Sequence, residues 1–173
     1  MQMLTAEQFD VLLKEAAIKP RFKRDLKYRQ STNFMDAVAW DESELLPIWN
    51  KSKNGGILLV QVAAKVYMVA FDASKSDVDS NGRSKSVICD LCYTWQGGRN
   101  GGFVTFYPDK TGDNSISLLC CVDLRCSDNV RTKTAAGLTS RTQLRESMTN
   151  DDRVARFNQK LQIFVERLQL KAV

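Results

Sequence analysis

The sequence predicts an α+β fold in which an antiparallel β-sheet is flanked by an N-terminal helix and a long C-terminal amphipathic helix. Three observations predict it. Apolar residues recur at helical spacing near both ends of the 173-residue chain. The middle of the chain is rich in β-branched and aromatic residues bounded by turn residues. All five cysteines fall between residues 89 and 126, and the length favours one domain or one domain with a small appendage.

The N-terminal helix is predicted over residues 5–18. Thr5 is a candidate N-cap, and Gln8 stands three residues later, as in a capping box. Four apolar residues then fall on one helical face: Phe9, Leu12, Leu13 and Ala16. We expect Pro20 to end the helix, because proline cannot continue a helical hydrogen-bond ladder.

The β-sheet is predicted from two pairs of strands. Residues 57–61 and 65–72 are rich in Val, Leu, Ile, Tyr and Phe and are joined by a turn at residues 63–64. Residues 103–107 and 115–121 predict a second antiparallel pair, connected by a polar turn. A short helix over about 123–133 follows, and then a polar, partly ordered linker over 134–145.

The final helix has the strongest pattern. Thr149 and Asp152 form a capping-box-like pair at its start. Five apolar residues follow at alternating steps of three and four and make one stripe: Val154, Phe157, Leu161, Phe164 and Leu168. The pattern favours packing of this stripe on the chain's own sheet, and the alternative is a dimer seam or a partner-binding groove.

Composition and charge exclude several function classes. The chain contains no histidine, which removes Ser-His-Asp and Cys-His catalysis and histidine metal ligands. The net charge is +5, of which residues 1–119 contribute +1 and residues 120–173 contribute +4. This bias suits a partner with an acidic surface or phosphates, although a solvated basic face is the alternative. Without a membrane-spanning apolar run or a secretory signal, we expect a cytoplasmic protein that does not bind membranes.

Four of the cysteines have the spacing of a metal site. Cys89 and Cys92 form a C-x-x-C pair, and Cys121 and Cys126 form a second pair with four intervening residues. Thiolate sulfur is a strong ligand for zinc, which prefers four tetrahedral ligands. The order of turn, hairpin and helix around these pairs is that of a treble-clef finger. The alternatives are buried thiols that bind no metal, or a redox-active C-x-x-C pair.

The choice of Cys121 over Cys120 follows from strand geometry. Neighbouring side chains on a strand face opposite ways, and Cys121 lies nearer the helix that carries Cys126. We expect Cys120 to be a small apolar core residue. Four thiolates leave no position for water, so we predict one structural zinc per chain and no enzymatic activity. We divide the chain into an N-terminal helical segment (1–54) and a β-sheet and zinc-finger domain with the C-terminal helix (55–173).

The two cysteine segments carry a family resemblance. Val-Ile-Cys-Asp-Leu-Cys-Tyr-Thr at 87–94 and Cys-Val-Asp-Leu-Arg-Cys-Ser-Asp-Asn-Val-Arg at 121–131 resemble the C-terminal treble-clef domain of elongation factor G-binding proteins. These are the FusB-type fusidic acid resistance proteins and their shorter bacterial relatives, and the likeness covers about residues 36–170. The resemblance implies a zinc-finger protein that binds elongation factor G. FusB-type members help to release this factor from ribosomes stalled by fusidic acid, and the resistance proteins carry a larger N-terminal helical bundle.

The candidate contact residues lie around the finger. The surface of a bacterial translocase is generally acidic, and aromatic residues and arginines dominate interface hot spots. We therefore predict five partner-binding residues: Arg99, Arg125, Arg131, Tyr93 and Phe106. The alternative is that Phe106 is a core residue and that the arginines are merely solvated. The alternative function is an RNA-binding finger that uses the basic stretch at 19–29, and no small-molecule substrate is expected in either case.

Overall fold

A computed structural model describes residues 1, 4–23, 26, 40–75, 85–111 and 113–173, and it has the predicted α+β architecture. An antiparallel five-stranded sheet has the order β1-β2-β3-β6-β7, and a two-stranded sheet pairs β4 with β5. The strands are β1 (Leu45–Trp49), β2 (Gly55–Val62), β3 (Lys65–Lys75), β4 (Val87–Ile88), β5 (Trp95–Gln96), β6 (Gly101–Tyr107) and β7 (Ile116–Cys121). The helices are α1 (Ala6–Glu15), α2 (Pro20–Lys23), α3 (Cys126–Val130), α4 (Ala135–Gln143) and α5 (Asn150–Arg167).

Strands β1, β2 and β3 of the five-stranded sheet contribute buried residues to a core on each face. Leu58 and Phe71 belong to one hydrophobic core, which contains the cysteines and α5, whereas Leu59 and Met68 belong to a second core, which contains α1. Alternate residues of β2 therefore point into different cores, and six consecutive residues of the strand are buried. Burial on both faces explains why this strand is a continuous apolar run in the sequence rather than an alternating one.

Both predicted N-terminal features of α1 are present. The Thr5 hydroxyl accepts a hydrogen bond from the Gln8 backbone N–H at 3.2 Å, and the Gln8 side chain accepts one from the Thr5 N–H at 2.8 Å. The helix ends at Glu15, before Pro20, and Pro20 begins the short helix α2. Proline is favoured at a first helical position because its missing N–H would have no intrahelical partner there.

Strand β1 was not predicted, and it lies inside the segment predicted to be helical. Leu45–Trp49 pairs antiparallel with β2 at the edge of the sheet. Pro47 weakens the strand signal of this segment, but an edge strand tolerates a proline because one side of the strand has no ladder to complete. The helical prediction is therefore wrong for these five residues, and the division of the chain at residue 54 stays a prediction.

Residues 134–145 were predicted to form a linker, and this prediction is wrong. Ala135–Gln143 forms helix α4, which begins where the Thr134 hydroxyl accepts a hydrogen bond from the Gly137 N–H at 2.9 Å. The buried Ser140 hydroxyl accepts another from the Trp95 N–H at 2.7 Å. Helix α4 is thus fixed by a cap and by contact with β5, not by an apolar stripe of its own. Helix α3 is also shorter than predicted.

The apolar stripe of α5 packs on the chain's own sheet, as predicted. Phe157, Leu161, Phe164 and Leu168 are buried in the core that contains the cysteines. The Phe164 ring meets the Phe106 ring edge-on, with centroids 4.9 Å apart. None of the helices in the described part of the chain has the length and apolar character that crossing a bilayer requires.

Candidate metal centre

The four predicted ligands come together in the structure. The sulfurs of Cys89, Cys92, Cys121 and Cys126 all lie within 4.8 Å of one another. The Cys89 and Cys126 sulfurs are 3.8 Å apart, and the Cys92 and Cys121 sulfurs are 3.5 Å apart. A tetrahedral zinc with Zn–S bonds of about 2.3 Å separates its sulfurs by about 3.8 Å. The donor set and its spacing therefore fit zinc.

The first pair of cysteines sits on a tight turn between β4 and β5. The Cys92 N–H approaches the Cys89 sulfur at 3.5 Å, and the Tyr93 N–H donates to the Cys89 carbonyl at 2.9 Å. Tyr93 adopts a left-handed conformation with φ of 59°, which few residues other than glycine adopt without cost. This turn directs both sulfurs of the pair to the same point.

The second pair is delivered by two different elements. Cys121 is the last residue of β7, and Cys126 is the first residue of α3. Between them the chain turns at Leu124, which has φ of 54° and donates its N–H to the Cys121 carbonyl at 3.0 Å. The four intervening residues are needed because the chain must leave the strand, turn and begin a helix before it returns to the metal.

Asp90 joins the turn of the first pair to the strand of the second. Its N–H donates to the Leu119 carbonyl at 2.7 Å, and its carboxylate accepts a hydrogen bond from the Leu119 N–H at 2.8 Å. The two halves of the site are thus held in register by a reciprocal pair of bonds. Asp90 lies between the two cysteines of the first pair. The C-x-x-C spacing alone does not reveal its structural role, because the motif leaves this position open.

A shell of buried polar side chains surrounds the sulfurs. The Asn129 amide donates to the Cys121 sulfur at 3.2 Å, and the Thr94 hydroxyl lies 2.9 Å from the Cys92 sulfur. The Gln96 amide donates to the Thr94 oxygen at 2.8 Å, which leaves the Thr94 hydroxyl hydrogen for the sulfur. Such outer-shell hydrogen bonds orient ligands and tune the metal. Sequence reasoning missed these residues because Thr, Gln and Asn carry no motif until the fold places them beside a sulfur.

The short distances between the buried sulfurs make a bound cation favourable, because a cation stabilises thiolates that would otherwise repel one another. A hydrogen bond with Cys121, contacts with Cys89 and Cys92, and burial together hold the pKa of Cys126 well above its usual value. A divalent metal reverses this effect, because its charge favours the thiolates. Cys120 is also fully buried, and a hydrogen bond with Cys89 together with burial raises the pKa of the Cys120 thiol. The Cys120 sulfur is not part of the four-sulfur group.

The site is closed as well as buried. Its four cysteines are at most 1 % exposed, and four thiolates complete the tetrahedral shell of a zinc ion. Such a centre has no ligand position for water or substrate. Its chemistry is that of a structural crosslink between the turn at Cys89, the end of β7 and the start of α3.

Two of the predicted contact residues are not available to a partner. Phe106 is fully buried in the core, so its assignment as an exposed anchor is wrong. Arg131 is only 16 % exposed and forms two hydrogen bonds with the Glu44 carboxylate, at 2.9 and 2.5 Å. These bonds raise the pKa of the Arg131 guanidinium. The Arg131 guanidinium is thus paired with a carboxylate of the same chain, and Arg131 does not belong to the contact set.

The other contact residues remain predictions. Tyr93 is 45 % exposed, and the Arg156 guanidinium lies 4.7 Å from its ring centre. The Arg125 side chain is 57 % exposed and pairs with Asp128 on the surface at 2.8 Å. The side chain of Arg99 lies outside the described part of the structure, as do residues 24–25 and 27–29 of the basic stretch.

Comparison with known proteins gives one result that bears on the site. A family model described as "FBP C-terminal treble-clef zinc-finger" matches residues 19–168, a span that contains the whole finger, the five-stranded sheet and α5. Neither a curated protein nor a solved structure matches the chain significantly. The family match and the buried four-cysteine cluster together establish one structural zinc.

Proposed function

The chain belongs to the FBP C-terminal treble-clef zinc-finger family, the FusB-type family that its sequence resembles, and we propose that it binds elongation factor G without catalysing a reaction. The observation that carries the proposal is the family match over residues 19–168. The match includes both cysteine pairs and the elements that hold them. A role in translation, at the ribosome, follows from this partner.

The chemistry of the metal centre supports a binding role. A zinc ion that is held by four buried thiolates cannot activate water or polarise a substrate, because it has no open position. The chain also lacks histidine, the side chain that most often transfers protons near neutral pH. The finger is better suited to present a rigid surface, since the zinc crosslinks three segments. Asp90 also joins two of these segments through its hydrogen bonds with Leu119.

Two exposed side chains of the finger form the proposed contact set. Arg125 pairs with Asp128 at the surface, where ion pairs contribute little and are readily exchanged for a partner's carboxylate. Tyr93 follows directly after a zinc ligand and presents an exposed ring beside Arg156. Aromatic residues and arginines are enriched among interface residues that dominate binding energy. An acidic partner surface matches this combination.

We expect purified protein to form a direct complex with elongation factor G, and the Arg125→Glu and Tyr93→Ala variants to bind about tenfold more weakly. Each change removes an exposed group without touching the core, so zinc content should stay as in the wild type and the free energy of unfolding should fall by no more than about 1 kcal/mol. Isothermal titration calorimetry measures the affinity. Lys160→Glu, a charge reversal at an exposed position of α5, is the matched control and should bind normally.

The salt dependence of this complex provides a second test. If basic side chains around the finger, such as Arg125, steer association electrostatically, added salt should lower the association rate constant more than it raises the dissociation rate constant. The absence of a complex at micromolar concentrations, in low salt and with zinc bound, would contradict the proposal. RNA would then be the next partner to test. For binding driven by phosphate contacts, the logarithm of the binding constant falls steeply and linearly with the logarithm of the salt concentration.

A further inference from the structure

Helix α5 contains an arginine that is buried completely. The side chain of Arg153 is 0 % exposed, although it carries a full positive charge. Its Nε atom lies 3.1 Å from the Glu146 carboxylate, and its Nη2 atom donates to the Asn129 carbonyl at 3.4 Å. Among the residues that the structure describes, its Nη1 atom has no hydrogen-bond partner. A buried charge of this kind is costly unless nearby charges compensate it.

The Glu146 carboxylate does not compensate Arg153 alone. The Arg156 guanidinium also lies 2.7 Å from Glu146, so two positive charges share one negative charge. Glu146 itself is only 9 % exposed. The cluster formed by Arg153, Arg156 and Glu146 thus carries an excess positive charge in a region from which water is largely excluded.

The zinc centre has the opposite imbalance. One Zn²⁺ ion and four thiolates carry a net charge of about −2, and all four ligands are buried. The two sites share a residue, because Asn129 accepts from Arg153 through its carbonyl and donates to the Cys121 sulfur through its amide. Burial lowers the pKa of Arg153 and Glu146 opposes this effect, whereas Arg141 and Arg156 lower the pKa further and Cys92 raises it. Arg153 is therefore connected to the metal ligand Cys121 through Asn129.

We propose that Arg153 is the buried counter-charge of the zinc tetrathiolate and that it couples zinc binding to the packing of helix α5 on the finger. Arg153 is a positioning residue, since it acts on the metal through Asn129 and through its charge rather than as a ligand. With zinc bound, the anionic centre and the cationic cluster offset each other. With neutral thiols in place of the zinc tetrathiolate, the excess positive charge would lie buried without compensation. This inference does not depend on binding to elongation factor G.

The test compares zinc affinities by competition with a chromophoric chelator. Arg153→Met keeps an unbranched apolar stem in place of that of arginine and removes the charge, and we expect zinc affinity to fall about 10- to 100-fold, as for other outer-shell substitutions. Arg153→Lys keeps the charge and should recover much of this loss. Arg167→Met, which removes an exposed arginine at the end of the same helix, is the matched control and should bind zinc as the wild type does.

Two further measurements separate a counter-charge from a packing role. The Co²⁺-loaded Arg153→Met protein should keep the spectrum of a tetrathiolate site, because the ligands are unchanged. Glu146→Gln removes the shared negative charge and should leave zinc affinity equal or higher, so the proposal stays testable if Arg153→Met does not fold. Zinc affinity within about twofold of the wild type in Arg153→Met, or an equal loss in Arg153→Lys and Arg153→Met, would overturn the proposal. A tenfold loss in Glu146→Gln would also overturn it.

Discussion

Replacement of Cys89 by serine is expected to remove the zinc and unfold the treble-clef finger. Structural zinc contributes on the order of 10–16 kcal/mol of apparent binding free energy at neutral pH, whereas a whole domain is stable by only about 5–15 kcal/mol. Loss of the metal therefore removes a free energy about as large as the whole free energy of unfolding of a typical domain. Metal analysis of the purified variant should give well under one zinc per chain, and circular dichroism should show loss of structure.

Cys120→Ser is the matched control for this prediction. It makes the same chemical change in a buried cysteine of the same core, beside Cys121, but at a sulfur outside the four-sulfur group. We expect this variant to retain a full equivalent of zinc. If Cys120→Ser lost the metal and Cys121→Ser kept it, the assignment of the ligands would be wrong.

The effect of zinc loss should differ between the two faces of the sheet. The cysteines belong to the same hydrophobic core as Phe106 and Phe164, so the loss of the metal should loosen α5 and the adjacent face. Helix α1 packs in the second core, on the opposite face, with Phe9 and Ile57. Hydrogen exchange after treatment with a chelator should therefore lose protection in α5 before it loses protection in α1.

The parts of the fold that the sequence predicts are those with a local signature. Helices α1 and α5 each have a capping box and an apolar stripe, and both capping boxes form. The cysteine spacing likewise predicts the group of four sulfurs. Helix α4 has no such stripe, and it depends on the Thr134 cap and on a hydrogen bond between Ser140 and Trp95. Contacts of this kind exist only after distant segments have come together, so periodicity cannot reveal them.

The contact residues show a second limit of sequence reasoning. Strand alternation indicates that Phe103 and Phe106 face opposite sides of the sheet, but it does not say which side is covered. In the structure Phe106 is fully buried, whereas Phe103 is 55 % exposed. Arg131 shows the same limit, because its partner Glu44 lies 87 residues away in the sequence. An arginine five residues after a metal ligand gives no sign in the sequence of such a long-range pair.

The ion pair between Arg131 and Glu44 joins the finger to the edge of the sheet. Both side chains are about 15 % exposed, and the guanidinium also donates to the Ser127 carbonyl at 3.0 Å. The Ser127 hydroxyl accepts hydrogen bonds from the N–H groups of Glu44 and Leu45, at 3.1 and 3.2 Å. Helix α3 and the start of β1 are therefore held together by one compact polar network.

Arg131→Glu is expected to lower the free energy of unfolding by about 3–5 kcal/mol, because it leaves two carboxylates facing each other in a mostly buried site. Arg125→Glu makes the same charge reversal six residues earlier, at an exposed surface pair, and should cost less than about 1 kcal/mol. The swapped double variant Arg131→Glu with Glu44→Arg should recover part of the loss, since the opposite charges face each other again. Urea unfolding of the wild type, Arg131→Glu, Glu44→Arg and the double variant gives the coupling energy of the pair. Equal stability of Arg131→Glu and Arg125→Glu, or a double variant no more stable than Arg131→Glu, would show that this pair does not hold the finger to the sheet.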